Sequence, residues 1–304
     1  MNNPLFSILV AQYNNGHFFK DCFQSILEQT YTNWEVIIVD DFSTDDSIEV
    51  IRELIQNDTR FKLFLNDKNY GCGYTKRKCA ALATGEICGF LDPDDTLEPI
   101  ALEKMVAIHL KHLEVSVATS KYMMIDIDLN IILKPNHIKK IPSGCSFLTY
   151  GKGAMTHFAT FKSSYYAKTF GIDAKFKRAV DQDLYYKLEE VGEHYFLDEF
   201  LYNYRINENS ISANRNLYKA QYWHHVAMQD AYIRRKKNND NTIVNFTDFE
   251  FKKIEYNYFK SRLQFATSRK RYCSKYYFLL KICCIIPFFQ LKYKIRCILF
   301  YNFS

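Results

Sequence analysis

The first 92 residues repeat one device three times: a short apolar run, then a polar cluster, then a segment with apolar residues at helical spacing. "LFSILVA" (residues 5–11) leads through Tyr13-Asn14 to "FFKDCFQSILEQ", where Phe18, Phe19, Cys22, Phe23, Ile26 and Leu27 share one face. "WEVIIVD" (34–40) leads through Asp40-Asp41 to "STDDSIEVIRELIQ". There Ser43, Thr44 and Asp45 are N-cap candidates, and Ile48, Ile51, Leu54 and Ile55 recur at helix spacing. "FKLFLN" (61–66) is followed by Asn66-Asp67 and a helix near 74–84, and "EICGFLD" (86–92) then runs into Asp92, Asp94 and Asp95. Strands alternating with helices predict an α/β fold with a mostly parallel sheet. In such sheets ligands bind outside the carboxyl ends of the strands, where all four polar clusters fall.

Downstream, residues 96–110 read as a helix, 113–135 as a region holding a strand pair, and 143–212 as irregular, with Gly144, Gly151, Gly153 and Gly171 marking loops. Within that stretch "DQDLYYKLEEVG" reads as a helix ending at Gly192. The polar "RRKKNNDNT" (234–242) reads as a loop or linker. Charge is divided along the chain. Residues 252–304 hold 12 Lys/Arg against one acid, Glu255, about +11, which leaves about −5 on residues 1–251. The tail segment "YYFLLKICCIIPFFQLKYKIRCILFYNF" mixes apolar and aromatic residues with Lys281, Lys292, Lys294 and Arg296, and Pro287 divides it in two. Two readings of the tail stay open: a basic amphipathic surface on an anionic membrane, or a helical cap on the first domain. A nucleic-acid partner is disfavoured by the apolar tail and the acidic remainder. Nine scattered cysteines without a CxxC pair argue against a disulfide framework. No signal peptide and no membrane-spanning run are read, so a cytoplasmic location is expected, with the inner face of the cell membrane as the tail's place in the first reading.

"LDPDD" admits three chemistries. An EF-hand register fits Asp92, Asp94, Thr96, Glu98 and Glu103, but Leu97 stands where the sharp turn needs Gly, and Pro93 and Pro99 lie inside the segment. Helix capping by Asp95 or Thr96 uses one side chain and leaves two acids over. Two carboxylates one residue apart on a loop can instead reach one hard cation, or a metal and a hydroxyl. In "YGCGYTK", Gly71 and Gly73 precede a helix, but a third Gly is lacking and this is not the first βα turn, which speaks against a dinucleotide site. A tight turn that lets Lys76 or Arg77 face a diphosphate fits better. His224-His225 has no companions at metal-ligand spacing and reads as surface or packing.

Taken in order, "SILVAQYNN", "SILEQTYTNWEVIIVDDFSTDDS", "NYGCGYTKRKCAALATGEICGFLDPDD", "AVDQDLYYKLEEVG" and "LYNYRINENSIS" resemble the family 2 glycosyltransferases of GT-A fold, of the bacterial surface-polysaccharide type, over about residues 4–213. The resemblance implies a GT-A domain over 1–215, with a nucleotide-binding half (1–95) and an acceptor half (96–215), and a basic, aromatic, helical extension over 216–304. It implies an inverting, metal-dependent transfer of a hexosyl or N-acetylhexosaminyl group. The donor would be a nucleotide-diphosphate sugar, with UDP-sugar favoured, and the acceptor a hydroxyl of a glycan or lipid-linked oligosaccharide. A catalytically silent nucleotide-sugar or glycan-binding relative is the alternative.

By the same resemblance Asp94 ligates Mn²⁺ or Mg²⁺, Asp92 approaches the ribose or shares the metal, and Asp95 caps the next helix. Asp41, or Asp40, hydrogen-bonds the base, flanked by Ala11 to Tyr13. Lys76 contacts a phosphate where the family commonly has Arg. Asp181 is the general base, with Asp183 as the alternative and an N-cap role for Asp181 as the bland reading. Three departures from the pattern stand out: Val180 replaces a Glu, Asn207 stands where many members have His, and "AQY" opens the first loop.

Overall fold

The computed structural model describes residues 3–150, 156–206, 217–238, 247–268 and 272–300. In chain order these form β1 (Phe6–Gln12), α1 (Gly16–Leu27), β2 (Trp34–Asp40), α2 (Ser47–Ile55), β3 (Phe61–Leu65), α3 (Cys72–Leu82), β4 (Ile87–Phe90), β5 (Thr96–Leu97), α4 (Ala101–Lys111) and β6 (Val115–Ile125). There follow β7 (Ile131–Leu133), α5 (Phe147–Tyr150), β8 (Ala159–Lys162), α6 (Ser163–Tyr166), α7 (Val180–Glu189), β9 (Glu193–Arg205), α8 (Leu217–Lys237), α9 (Asp248–Ser268), α10 (Tyr272–Ile285) and α11 (Leu291–Phe300).

One nine-stranded sheet runs β3-β2-β1-β4-β8-β6-β9-β5, with β7 paired to β6. The β3, β2, β1 and β4 neighbours are parallel. β8 lies antiparallel between β4 and β6, and β9 is parallel to β6, so the sheet is mostly parallel. Alternation along the strands divides the core. Phe6, Ile8 and Val10 of β1 with Trp34, Val36 and Ile38 of β2 face α1, α2 and α4, whereas Leu9, Ile37 and Val39 face the layer that holds Cys79 of α3 and Leu184 of α7. β2 is buried at all seven residues, as expected of a strand covered on both faces.

Four expectations are corrected. The helix expected over 96–110 begins at Ala101, because Thr96 and Leu97 pair with Asn203 and Tyr202 as β5. The stretch 143–212 contains β8 and the 13-residue β9, whose partners lie far away in sequence. The basic run at 234–237 is helix, not linker: Arg235 is fully buried and pairs with Glu189 at 2.7 Å, while Arg234 pairs with Glu190 at 2.8 Å. At α2 the N-cap is Asp46, and no side chain caps it; Asp45 accepts from Ser47 N at 3.1 Å just outside. Beyond α8, helices α9 to α11 gather around a small core of their own that includes Tyr256, Leu263, Leu279 and Ile282. Among the described residues no helix is long and apolar enough to cross a membrane.

Glu35 ties the strands that carry the site. Buried in β2, it accepts from Ser7 Oγ of β1 at 2.7 Å, from Thr84 N at 2.7 Å before β4, and from Lys62 Nζ of β3 at 2.7 Å. Burial by itself would raise its carboxyl, but the hydrogen bonds from Lys62, Ser7 and Thr84 outweigh it and hold the group at about 2, against an ordinary 4.5. We expect Glu35→Ala to lower stability by about 2 kcal/mol. Because the folded value is depressed, the part of the deficit that depends on the charge is full above pH 4.5 and is lost as pH falls through about 2. Urea unfolding of both proteins across this range measures it.

Candidate active site

The carboxyl ends of β1, β2 and β4 bring the polar clusters to one edge. The loop after β1 is joined to the loop after β2, since Asn14 N donates to Ser43 Oγ at 2.9 Å. Tyr13 is 45% exposed there, and Ala11 is half-buried. Asp40 is buried and accepts from Ser43 N at 3.0 Å; burial raises its carboxyl. Asp41, also buried, spends its two oxygens on Asn66 Nδ2 (2.9 Å), Tyr70 N (2.9 Å) and Gly71 N (2.7 Å). It therefore fixes the entry to α3. Gly71 adopts φ of 92°, which a side chain rarely tolerates, and a Cβ on Gly73 would lie 2.3 Å from the Phe176 carbonyl oxygen. The two glycines let α3 dock closely enough to carry Lys76 inward. Arg77 turns the other way and donates to the Ile172 carbonyl at 3.2 Å.

Lys76 joins three elements. Its Nζ lies 2.8 Å from Asp181 Oδ1, 3.1 Å from Oδ2, and 3.3 Å from Asp92 Oδ1. The lysine side chain is 5% exposed, while Asp92 and Asp181 are 39% and 40% exposed. The cation is thus walled in, and its anions face the open side. Asp181 sits in the first turn of α7, just after Ala179 in a left-handed conformation, φ 56°; it is not the cap residue of that helix. Asp183 points elsewhere, with a 2%-exposed side chain 2.5 Å from Lys187 Nζ.

Asp94 and Asp95 lie behind Asp92. Burial, then the neighbouring Asp92, pushes the Asp94 carboxyl up to about 6. Asp95 is pushed well above its ordinary value by burial and by Asp94 and Asp92. Asp95 does not cap α4, contrary to expectation. Its oxygens accept from Tyr202 Oη at 2.6 Å and Arg205 N at 2.7 Å, clamping the loop to β9. Arg205, also buried, donates to the Asp94 carbonyl (2.8 Å), the Ile127 carbonyl (2.7 Å) and Asp21 (2.7 Å). A turn-forming acid before a helix looks alike whether it caps or clamps, so the sequence could not separate the two.

The fit to a dication is favourable in charge. Asp94, half-buried beside Asp92, forms no ion pair among the described residues, and a divalent ion would supply one. Among the described residues no group of three or more His, Cys, Asp or Glu side chains converges as a metal cage. An ion here would be held by one or two carboxylates together with a ligand's phosphates, the mode usual for Mg²⁺. Asn207 lies outside the described residues.

Two histidines also face this region: His157, which sequence reasoning did not assign, and His224, which it read as surface or packing. His157 stacks on Tyr204 (4.1 Å between centroids, 15°) and meets the edge of Tyr122 at 4.6 Å. Burial lowers its pKa, while the charges of Asp92 and Asp181 oppose that and Lys76 adds to it. A lone His before a short strand carries no spacing signal that could have found it. His224 of α8 meets the Gln182 side chain beside Asp181, whereas His225 stacks on Tyr258 at 4.0 Å as a packing residue.

Tyr202→Phe removes the hydroxyl that holds Asp95. We expect a loss of about 1–2 kcal/mol in urea unfolding, with Asp92 and Asp94 left on a less ordered loop and nucleotide affinity reduced with it, measured by calorimetric titration.

The family model described as "Glycosyl transferase family 2" matches residues 7–168, more than half of the 304 residues. The chain is 29% identical over 262 residues to chondroitin synthase of Escherichia coli, covering 83% of this chain and 37% of that protein. It is 29% identical over 218 residues to hyaluronan synthase of Pasteurella multocida, covering 70% of this chain and 21% of that protein. The chain spans about a fifth to somewhat over a third of the length of these curated relatives. Among solved structures, S. aureus TarS 1-349 superposes with a TM-score of 0.65 at 18% identity, covering 93% of this chain and 81% of that chain. TarS has also been solved with UDP and with UDP-GlcNAc. At that identity the likeness shows the fold, the GT-A arrangement expected from the sequence.

Proposed function

Since the chain belongs to glycosyl transferase family 2, we propose that it transfers a sugar, with inversion, from a nucleotide-diphosphate donor to a hydroxyl of a glycan or lipid-linked glycan in bacterial polysaccharide synthesis. The observation that carries this reading is the single ammonium of Lys76 held between Asp92 and Asp181, which joins the acid motif after β4 to the start of α7. Donor and acceptor chemistry need those two groups within one substrate's reach.

In this reading the uracil of a UDP-sugar lies along Ala11 to Tyr13, near Asp40 and Asp41. UDP is favoured because the fold neighbour binds UDP and UDP-GlcNAc. Asp94, with Asp92 beside it, would hold Mn²⁺ or Mg²⁺, which when bound neutralises charge growing on the leaving diphosphate. Lys76 presents its ammonium to the same phosphates as a point charge. Asp181 accepts the proton of the acceptor hydroxyl as the new bond to the anomeric carbon forms. Its exposure supports that role over Asp183, whose carboxylate is sealed in an ion pair with Lys187.

We also propose that the tail meets an anionic membrane surface, where a lipid-linked acceptor would reside. In α10, α11 and the turn between them, Tyr276, Tyr277, Leu280, Phe288, Leu291, Ile295 and Ile298 are exposed, alongside the exposed Lys281 and Lys292. Aromatic and aliphatic groups beside ammonium groups suit the headgroup boundary.

Asp94→Asn is expected to abolish the Mn²⁺-dependent thermal shift given by UDP. Asp181→Asn should still bind UDP and lose transfer by about 10²–10⁴-fold. Near-normal transfer by the second variant would reassign the base. For the tail, co-sedimentation with phosphatidylglycerol vesicles should be reversed by salt and weakened by Phe288→Asp; equal binding to neutral vesicles would remove the electrostatic part of the proposal.

A further inference from the structure

We propose that Lys76 is a latch on the base: its ammonium occupies Asp181 until a donor diphosphate takes it over, so that nucleotide binding releases Asp181 for the acceptor. This rests on the donor site proposed above and adds an order of events to it.

The geometry is asymmetric. Asp181 receives Lys76 through both oxygens, at 2.8 and 3.1 Å, whereas Asp92 is a looser partner at 3.3 Å. The lysine is buried and the two carboxylates are not. A buried ammonium needs an anion at all times, since leaving it unpaired costs several kcal/mol. Lys76 therefore cannot swing free; it can only exchange one anion for another. Asp181 and Asp92, facing solvent, can turn away and be hydrated. The arriving ligand is itself an anion, with two phosphates directed at the same edge, so the exchange leaves no charge unpaired.

The exchange changes what Asp181 can do. While both Asp181 oxygens accept from the Lys76 ammonium, their lone pairs are engaged and are not turned toward an incoming hydroxyl. Among the described residues, the other groups that interact electrostatically with Asp181 include Cys72 on α3, His157 before β8, Tyr185 on α7 and His224 on α8. Both histidines are shifted toward the neutral form by burial, and among the described residues Lys76 is the cation paired with Asp181. Lysine also suits the exchange better than arginine, because three donors on a rotating head change partners without a planar fork to realign.

The test is a double-mutant cycle on UDP affinity, measured by calorimetric titration with saturating Mn²⁺, with folding of each variant checked by circular dichroism. If UDP competes with Asp181 for Lys76, Asp181→Asn should tighten UDP by about five- to tenfold. Lys76→Met should weaken UDP, and in that background Asp181→Asn should give no tightening. Uridine, which has no phosphates, should bind Asp181→Asn and the unsubstituted protein alike. UDP binding unchanged by Asp181→Asn overturns the latch and leaves the donor site standing, as does equal tightening in the Lys76→Met background, which would be mere removal of a negative charge. A crystal structure of the UDP–Mn²⁺ complex gives a second readout: Lys76 Nζ on a phosphate oxygen and away from Asp181 supports the latch, and an intact Lys76–Asp181 pair refutes it. Failure of the unsubstituted protein to bind any nucleoside diphosphate would overturn the donor site and the latch together.

Discussion

Asp92, Asp94 and Asp95 crowd one edge of the sheet with Asp181 across Lys76 from them, and the charges of Arg205 and Lys76 lower Asp94. Their positions divide the work. Arg205 is immobilised by Asp21, Ile127 and Asp94, and its backbone N–H holds Asp95, so it sets the shape of the loop and offers nothing to a ligand. Lys76 faces the solvent-exposed acids and can trade partners. Asp94, raised to about 6 by burial and by Asp92, forms no ion pair among the described residues. In the proposed reading a dication bound with a phosphorylated ligand would supply the positive charge beside it.

The sheet makes the crowding possible. β4 delivers Asp92, Asp94 and Asp95 just beyond its end, and antiparallel β8 separates the first parallel group from β6 and β9. β9 then returns to the acid loop, pairing with β5 and placing Tyr202 and Arg205 against Asp95. α7, which carries Asp181, is held from outside by α8, whose Arg234 and Arg235 grip Glu190 and Glu189. The first helix of the basic tail is therefore part of the scaffold of the site. Its Arg234 and Arg235 are spent on ion pairs within the protein, apart from the basic residues of 252–304.

Much of this was legible in the sequence, for reasons that differ by region. Strands buried on both faces need continuous apolar runs, and covering helices need an apolar stripe, so β1 to β4 and their helices stand out residue by residue. The acid cluster was legible because three carboxylates after a strand have few uses. β9 was not. It alternates poorly, with half-buried aromatics along most of its length, and its partner β6 begins 78 residues earlier in the chain. Arg234 and Arg235 were misread because a run of bases looks solvated until its acidic partners, close in space but some 45 residues away in sequence, are known. Asp95 and His157 needed three-dimensional neighbours to acquire meaning.

The identity of residue 76 gathers these threads. An arginine there would present a planar fork suited to one bidentate partner, phosphate or carboxylate, and would favour whichever it met in good geometry. A lysine reaches Asp181 and Asp92 together and is satisfied by neither alone, because an ammonium has three hydrogens to donate. A ring neighbour makes that ambivalence tolerable: the ammonium lies 4.9 Å from the centre of the buried Phe90 ring, while its two carboxylate partners are partly exposed. Among the described residues the ion-pair partners of Lys76 are Asp92 and Asp181, with room for a ligand on their open side, and this is the condition under which binding at one carboxylate can be felt at the other.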